Sequence, residues 1–287
     1  MVAVQRKHRR NVSTDEATTR SRTIHIDLTD KTALVTGSTQ GIGLAIAEGL
    51  AGSGATVGIN GRSAERVSTA IADIRSRIPN ADLVAVPADV TTAEGAQAAL
   101  ETLGPVDILV NNLGIFGTVA ALAITDDEWR RYFDVNVLSA VRLTRLTLPG
   151  MMGRGWGRIL NIGSDSAVVT PAEMIHYGVS KTALLAVSRG FAKEAAGTGV
   201  TVNSVLAGPT HTAGVEDFVY ELVDPGLEWD AAQIEFMKKH RPQSLLERLI
   251  EPEEIANMVV YLSSRQASAT TGAALRVDGG YIDSIVP

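Results

Sequence analysis

A chain of 287 residues with 45% hydrophobic and 20% charged residues has the composition of a globular protein long enough to bury a large core. It contains no cysteine, which excludes disulfides, thiolate catalysis and Cys-ligated zinc, and its five histidines (His8, His25, His176, His211, His240) show no metal-binding spacing. The formal charge of −6 divides into +4 over residues 1–23 and −10 over the rest, and an acidic body argues against nucleic acid as the main partner.

The N-terminus "MVAVQRKHRR" is basic, but no long apolar run follows, so it does not read as a secretory signal. No apolar stretch reaches the ~18 residues that would cross a bilayer. No membrane partner and a cytoplasmic location are the expectations. Residues 1–23 are polar, basic and aperiodic and read as a disordered extension ahead of a folded domain over 24–287.

From residue 31, short apolar runs alternate with helix-period segments. "TALVT" (32–36) is a β-branched strand candidate that ends at Gly37, and "GLAIAEGLAGSG" (43–54) has helical spacing. "TVGIN" (56–60) is the next strand, followed by an amphipathic helix over 63–77 with Ser63 as N-cap. A strand over 81–88 leads to a Thr91–Glu94 capping box that opens a helix through Leu103. "VDILVNN" (106–112) is a strand, Thr125–Glu128 opens a second capped helix, and helical signal continues over about 137–152. "RILNIG" (158–163) and "VTVNSVLAG" (200–208) are strands on either side of a helix over 175–196. A helix over 251–264, with Pro252 in its first turn, and a strand over 273–280 complete the pattern.

Strands of mostly apolar residues alternating with helices predict an α/β fold. The expected form is a doubly wound parallel sheet in a three-layer, Rossmann-like sandwich, as a single domain. Residues 209–250 break the rhythm and read as a lid with helical pieces near 215–223 and 230–240. Its Phe218, Tyr220, Leu222, Trp229 and Phe236 could line a pocket, although packing of the lid onto the body is the favoured role for each.

"TGSTQGIG" (36–43) joins the first strand to the first helix. Glycines here allow a tight turn and remove β-carbons where a pyrophosphate would meet the helix N-terminus. An NAD-preferring site would carry an acid at the end of the second strand, but that stretch reads "INGRS" (59–63). Arg62 could instead pair with a 2′-phosphate, so NADP is favoured, with NAD possible. "HYGVSK" (176–181) carries a Tyr-x-x-x-Lys spacing, which accident produces in about one chain in ten at this composition. On a helix, Tyr177 and Lys181 share a face, whereas His176 projects about 100° away and reads as structural or solvent-facing.

Taken together with "ADV" (88–90), "NNLG" (111–114), "DVNV" (134–137), "GS" (163–164), "NSVLAGPTHT" (203–212) and "VDGG" (277–280), these motifs give a chain that resembles the short-chain dehydrogenase/reductase family across about 31–280. The resemblance implies an NAD(P)-dependent oxidoreductase that moves a hydride between nicotinamide and a carbonyl or secondary alcohol. It implies Tyr177 as the acid/base, Lys181 as the group that lowers its pKa, Ser164 as the hydrogen-bonding partner of the substrate oxygen, and Asn136 in a water-linked relay to Lys181. It assigns the cofactor to Gly37, Ser38, Thr39, Gly41, Ile42 and Gly43, to Arg62, and to Asp89 and Val90 at the adenine. Asn111 and Gly114 would flank the adenosine side, and Thr210 and Thr212 would lie near the nicotinamide, with Tyr177 and Lys181 also in contact.

The chain departs from the family pattern at Leu113, Gly163 and Ala207, none of which removes a catalytic group. Retention of all four catalytic positions counts against a non-catalytic dinucleotide sensor or scaffold. A 3-oxoacyl-acyl-carrier-protein reductase is a specific alternative that would use exposed Arg142 and Arg145. The turn "AAGTGV" (195–200) lacks a matching basic residue, however, and the lid is longer than such enzymes use. The expected partner is a small-molecule carbonyl or alcohol, and the resemblance suggests a homodimer or homotetramer through the helices after the fourth and fifth strands.

Overall fold

The structure, a computed structural model, describes residues 25–285. The extension expected over residues 1–23 lies outside the described residues. Seven strands form one parallel sheet: β1 (Thr32–Val35), β2 (Thr56–Gly61), β3 (Leu83–Pro87), β4 (Ile108–Asn111), β5 (Gly157–Ser164), β6 (Val200–Ala207) and β7 (Ala274–Val277). Their order is β3-β2-β1-β4-β5-β6-β7. The chain first winds outwards from β1 to β3, then crosses back to β4 beside β1, which leaves a crevice at the strands' C-terminal ends where the winding reverses.

Side-chain alternation builds the three layers. Ala33 and Val35 of β1 and Ile108 and Val110 of β4 enter one core, where α1 (Gly41–Gly52) and α9 (Pro252–Ser263) supply Ile46, Leu50, Ile255 and Val259. Leu34 and Leu109, one residue out of step, enter the opposite core with Leu143, Met151 and Ala192 of α5 (Ser139–Arg154) and α6 (Ile175–Glu194). Leu50 is fully buried, and truncating such a leucine to alanine costs ~2–5 kcal/mol. The helices α2 (Ala64–Arg77), α3 (Ala93–Leu103) and α4 (Asp126–Phe133) complete the crossovers.

Two local expectations are corrected. The N-cap of α3 is Thr92, whose Oγ1 accepts from the Gly95 N–H at 3.0 Å, whereas Thr91 donates its hydroxyl to Asp89 Oδ1 at 2.6 Å. The helical signal near 137–152 belongs to a longer helical run: α4 passes directly into α5 through a π-turn over Asp134–Leu138. That extra residue per turn re-aims Asn136 into the interior. No described helix is long and apolar enough to cross a membrane.

The expected lid forms α7 (Ala213–Leu222) and α8 (Trp229–His240). They pack on each other through Phe218, Val219, Phe236 and Met237, with Leu249 at the end of the same segment, and onto the body at Met174.

Candidate active site

A cavity of about 810 Å³ runs over the C-terminal ends of the strands and under the lid. Of the residues proposed from sequence, Gly37, Thr39, Gly41, Ile42, Gly43, Arg62, Asp89 and Val90 line its β1–β3 side. Gly114, Ser164, Tyr177, Lys181, Thr210 and Thr212 line the remainder. Ser38, Asn111 and Asn136 do not.

The three exceptions have structural partners. Ser38 is buried, donates to the Val35 carbonyl at 2.8 Å and accepts from the Asn60 N–H at 2.9 Å. Asn111 is the last residue of β4, on the same side as Leu109, so its amide donates to Asn161 Oδ1 at 2.8 Å inside the protein. Its neighbour Asn112 lines the cavity instead and ties the glycine turn down, donating to Thr36 O at 2.9 Å and Gly37 O at 3.2 Å. Asn136 accepts from the Ile115 N–H at 2.8 Å and donates to Ile115 O and Ser180 Oγ, both at 3.0 Å. Its side chain thus fastens the segment beyond β4 to the helix that carries Tyr177.

The glycine turn suits a dinucleotide phosphate. Gly37 and Gly41 have φ of 62° and 55°, the left-handed region that disfavours a side chain. A β-carbon on Gly43 would overlap the Gly37 carbonyl oxygen and the Asn112 amide. α1 begins without a capping side chain or an acidic residue in its first turn, which leaves its N–H groups available to an anion. Arg62, just after β2, and Arg66, in the first turn of α2, are both exposed and both line the cavity.

Tyr177 and Lys181 lie one turn apart on α6 and share the same wall. Lys181 Nζ donates to the Ile162 carbonyl of β5 at 2.8 Å and sits 5.7 Å from the centroid of the Tyr177 ring. Burial lowers Lys181 to about 8. Burial pushes the Tyr177 phenol up; the Ser164 hydroxyl pulls it down, and the nearby Asp165 carboxyl raises it further. In the free protein burial outweighs the downward pull of Ser164 on the phenol. Desolvation disfavours the phenolate, so the phenol holds its proton. Ser164 donates to Asp165 Oδ1 at 2.9 Å and accepts from the Ser166 N–H at 3.1 Å.

His176 is fully buried, its ring 4.0 Å from that of Tyr132, so it is structural and faces no solvent. Of the five lid residues named from sequence, Phe218 and Phe236 reach the cavity, while Tyr220, Leu222 and Trp229 pack in the lid's own core. Sequence reasoning missed Asn112, Arg66, Asp165 and Arg241, which all line the cavity. Asp165 directly follows Ser164 and could have been noticed, but nothing local marks Arg241. Arg142 is half-buried and donates to the Thr91 carbonyl at 2.8 Å, so it is not the free surface cation expected of it.

Residues 37–282 match the family model described as enoyl-(acyl carrier protein) reductase. The chain belongs to the short-chain dehydrogenase/reductase family. It is 48% identical over 262 residues to an uncharacterized oxidoreductase of Bacillus subtilis (strain 168), YvaG, covering 91% of this chain and 99% of that one. It is 36% identical over 259 residues to a 3-oxoacyl-acyl-carrier-protein reductase of Vibrio harveyi, covering 89% and 98%. The structure resembles that of L-sorbose reductase from Gluconobacter frateurii complexed with NADPH and L-sorbose, with a TM-score of 0.85 and 34% identity over 91% of this chain and all of that one. Like its family, this chain is an NAD(P)-dependent oxidoreductase that transfers a hydride to or from a small-molecule carbonyl or alcohol.

Proposed function

We propose that this enzyme reduces a ketone of a small polar molecule with NADPH, using Tyr177 as proton donor, Ser164 to hold the substrate oxygen and Lys181 as the neighbouring cation. The observation that carries this reading is the convergence of Ser164, Tyr177 and Lys181 on one cavity that also contains the glycine turn. The nicotinamide, when bound, supplies the hydride. Tyr177 stands protonated in the free protein because burial disfavours its phenolate, which suits an acid that releases its proton from Oη to a developing alkoxide. Ser164 has one proton, held by Asp165 Oδ1 in the free protein. To hold the substrate oxygen, it exchanges that bond for one to the substrate. Lys181 keeps most of its charge at neutral pH, since its pKa of about 8 lies above 7.

We assign the cofactor's 2′-phosphate to Arg62, with Arg66 one helical turn on as a second cation. The NADPH bound by the sorbose reductase supports this preference. Of the remaining positions named from sequence, Asp89 and Val90 are assigned to the adenine end, and Thr210 and Thr212 to the nicotinamide end. The acyl-carrier alternative is the weaker reading, because Arg142 is held by Thr91 and only Arg145 is exposed. Cytoplasmic location and self-association through α5 and α6 belong to the same reading. Leu138, Leu146 and Val179 are exposed at 43%, 42% and 39% on or next to those helices.

A screen of ketones and alcohols coupled to NADPH and NADH tests the assignment. Oxidation of NADPH by a polar ketone is expected. A clear NADH preference would remove Arg62 from its role, and an absence of turnover with every carbonyl would remove the catalytic reading.

A further inference from the structure

Two ionisable side chains that line the substrate end of the cavity, Asp165 and Arg241, each carry a buried polar atom that bonds to nothing. Asp165 is 5% exposed. Its Oδ1 accepts from Ser164 at 2.9 Å and from Ser166 at 3.3 Å, while its Oδ2 is buried and has no partner. Arg241, at the C-terminal end of α8, is 9% exposed. Its Nη1 donates to the His240 carbonyl at 2.7 Å, its guanidinium lies 5.4 Å from the Phe236 ring centroid and 5.3 Å from that of Tyr281, and its Nε is buried and unpartnered. No hydrogen bond or ion pair joins the two, yet Arg241 is close enough to oppose the upward push of burial on the Asp165 carboxyl.

Leaving a buried donor or acceptor unsatisfied costs ~1–3 kcal/mol, so two such groups on one cavity call for a ligand that serves both. We propose that Asp165 and Arg241 form a subsite for a substrate hydroxyl close to the reacting carbonyl, so that the enzyme's substrates are hydroxyketones and the corresponding diols. A hydroxyl donates and accepts through the same atom. It donates to the Asp165 carboxyl and accepts from the Arg241 guanidinium. A carboxylate in this place meets the Asp165 carboxyl, and an ammonium meets the charge of Arg241. The nearby lining also carries the apolar Phe116, Met174, Phe218 and Phe236. Asp165 adjoins Ser164, which places the subsite next to the substrate oxygen and fixes which part of the molecule it reads.

The inference rests on the carbonyl-reductase reading of this cavity, and its test separates the two. Initial rates are measured on the full chain with NADPH and with NADH, using butan-2-one, 1-hydroxybutan-2-one, 4-hydroxybutan-2-one and 2-oxobutanoate. At least one hydroxyketone is expected to exceed butan-2-one in kcat/KM by about thirtyfold or more, since a site built to bond a hydroxyl rejects an analogue that lacks it. Arg241→Met and Asp165→Asn are each expected to cut that ratio about tenfold, and for Arg241→Met the loss falls mainly on the KM of the hydroxyketone. Arg241→Lys, which keeps the charge, recovers part of the ratio, and circular dichroism checks that each variant is folded. A wild-type ratio near one, a ratio that survives Arg241→Met, or a preference for 2-oxobutanoate overturns the subsite while leaving the reductase reading intact. If none of the four compounds is reduced, the reductase reading fails for these ketones, and saturation-transfer NMR with 1-hydroxybutan-2-one decides the subsite. Binding that Arg241→Met weakens supports it, and absent or equal binding overturns it.

Discussion

Lys181 Nζ donates to the carbonyl oxygen of Ile162 at 2.8 Å, bridging α6 to the end of β5. This bond aims a buried ammonium at the cavity from a backbone carbonyl. Burial holds its pKa at about 8, well below the lysine value of 10.5. The folded state therefore bears a penalty for charging Lys181 that is fully present below pH 8 and fades as the pH rises towards 10.5.

Lys181→Met is expected to stabilise the free protein and to abolish reduction. The lowered pKa corresponds to about 3 kcal/mol, of which the lost bond to Ile162 takes back about 1 kcal/mol. Thermal melts at pH 7 should show the variant's Tm several degrees above that of the wild type, with the gap narrowing by pH 10. A lower Tm at pH 7 would mean that Lys181 is not a strained catalytic group.

The rate of carbonyl reduction should fall as pH rises through about 8, because Lys181 loses its charge there, whereas Tyr177 keeps its proton to higher pH. The measurement is log kcat/KM against pH with NADPH. A profile flat to pH 10 would contradict the assignment of that limb to Lys181.

Arg62→Ala is expected to lower kcat/KM for NADPH by about 10- to 100-fold, the range that a lost charge-assisted bond of ~1.5–3 kcal/mol supplies. The value for NADH should change less than about threefold. Equal losses with both cofactors would place Arg62 elsewhere than at a 2′-phosphate.

Two glycines separate cradle from scaffold. Gly43→Ala puts a β-carbon into the Gly37 carbonyl and should weaken NADPH binding at least about tenfold, as read by fluorescence titration. Gly190→Ala, on an open, exposed position of α6, should instead stabilise the protein by about 0.5–1 kcal/mol. Similar affinity losses in both variants would argue against a phosphate at Gly43.

What the sequence made legible was local. The glycine turn, the strands and the shared face of Tyr177 and Lys181 depend on spacings within one or two elements, and all formed close to where periodicity put them. Asn111 was misplaced because the side chains of a strand alternate, and one residue decides between the interior and the cavity. The π-turn at Asn136 was invisible because a 3.6-residue period reads straight through one extra residue. Thr92 replaced Thr91 as the cap of α3 because Asp89 takes the Thr91 hydroxyl. The meeting of Asp165 with Arg241 joins the end of β5 to the lid, and only the fold brings them to one cavity.

The most direct test of the whole account compares wild type and Tyr177→Phe in NADPH titration and in reduction of a hydroxyketone that the wild type turns over. The substitution removes one oxygen from a half-buried ring and leaves the ring's contact with Phe116, 6.3 Å between centroids, in place. The account predicts NADPH affinity within about threefold of wild type and kcat reduced by at least about a thousandfold, the scale of a lost general acid. A Tyr177→Phe enzyme that still reduces the ketone within about tenfold of the wild-type rate would contradict it.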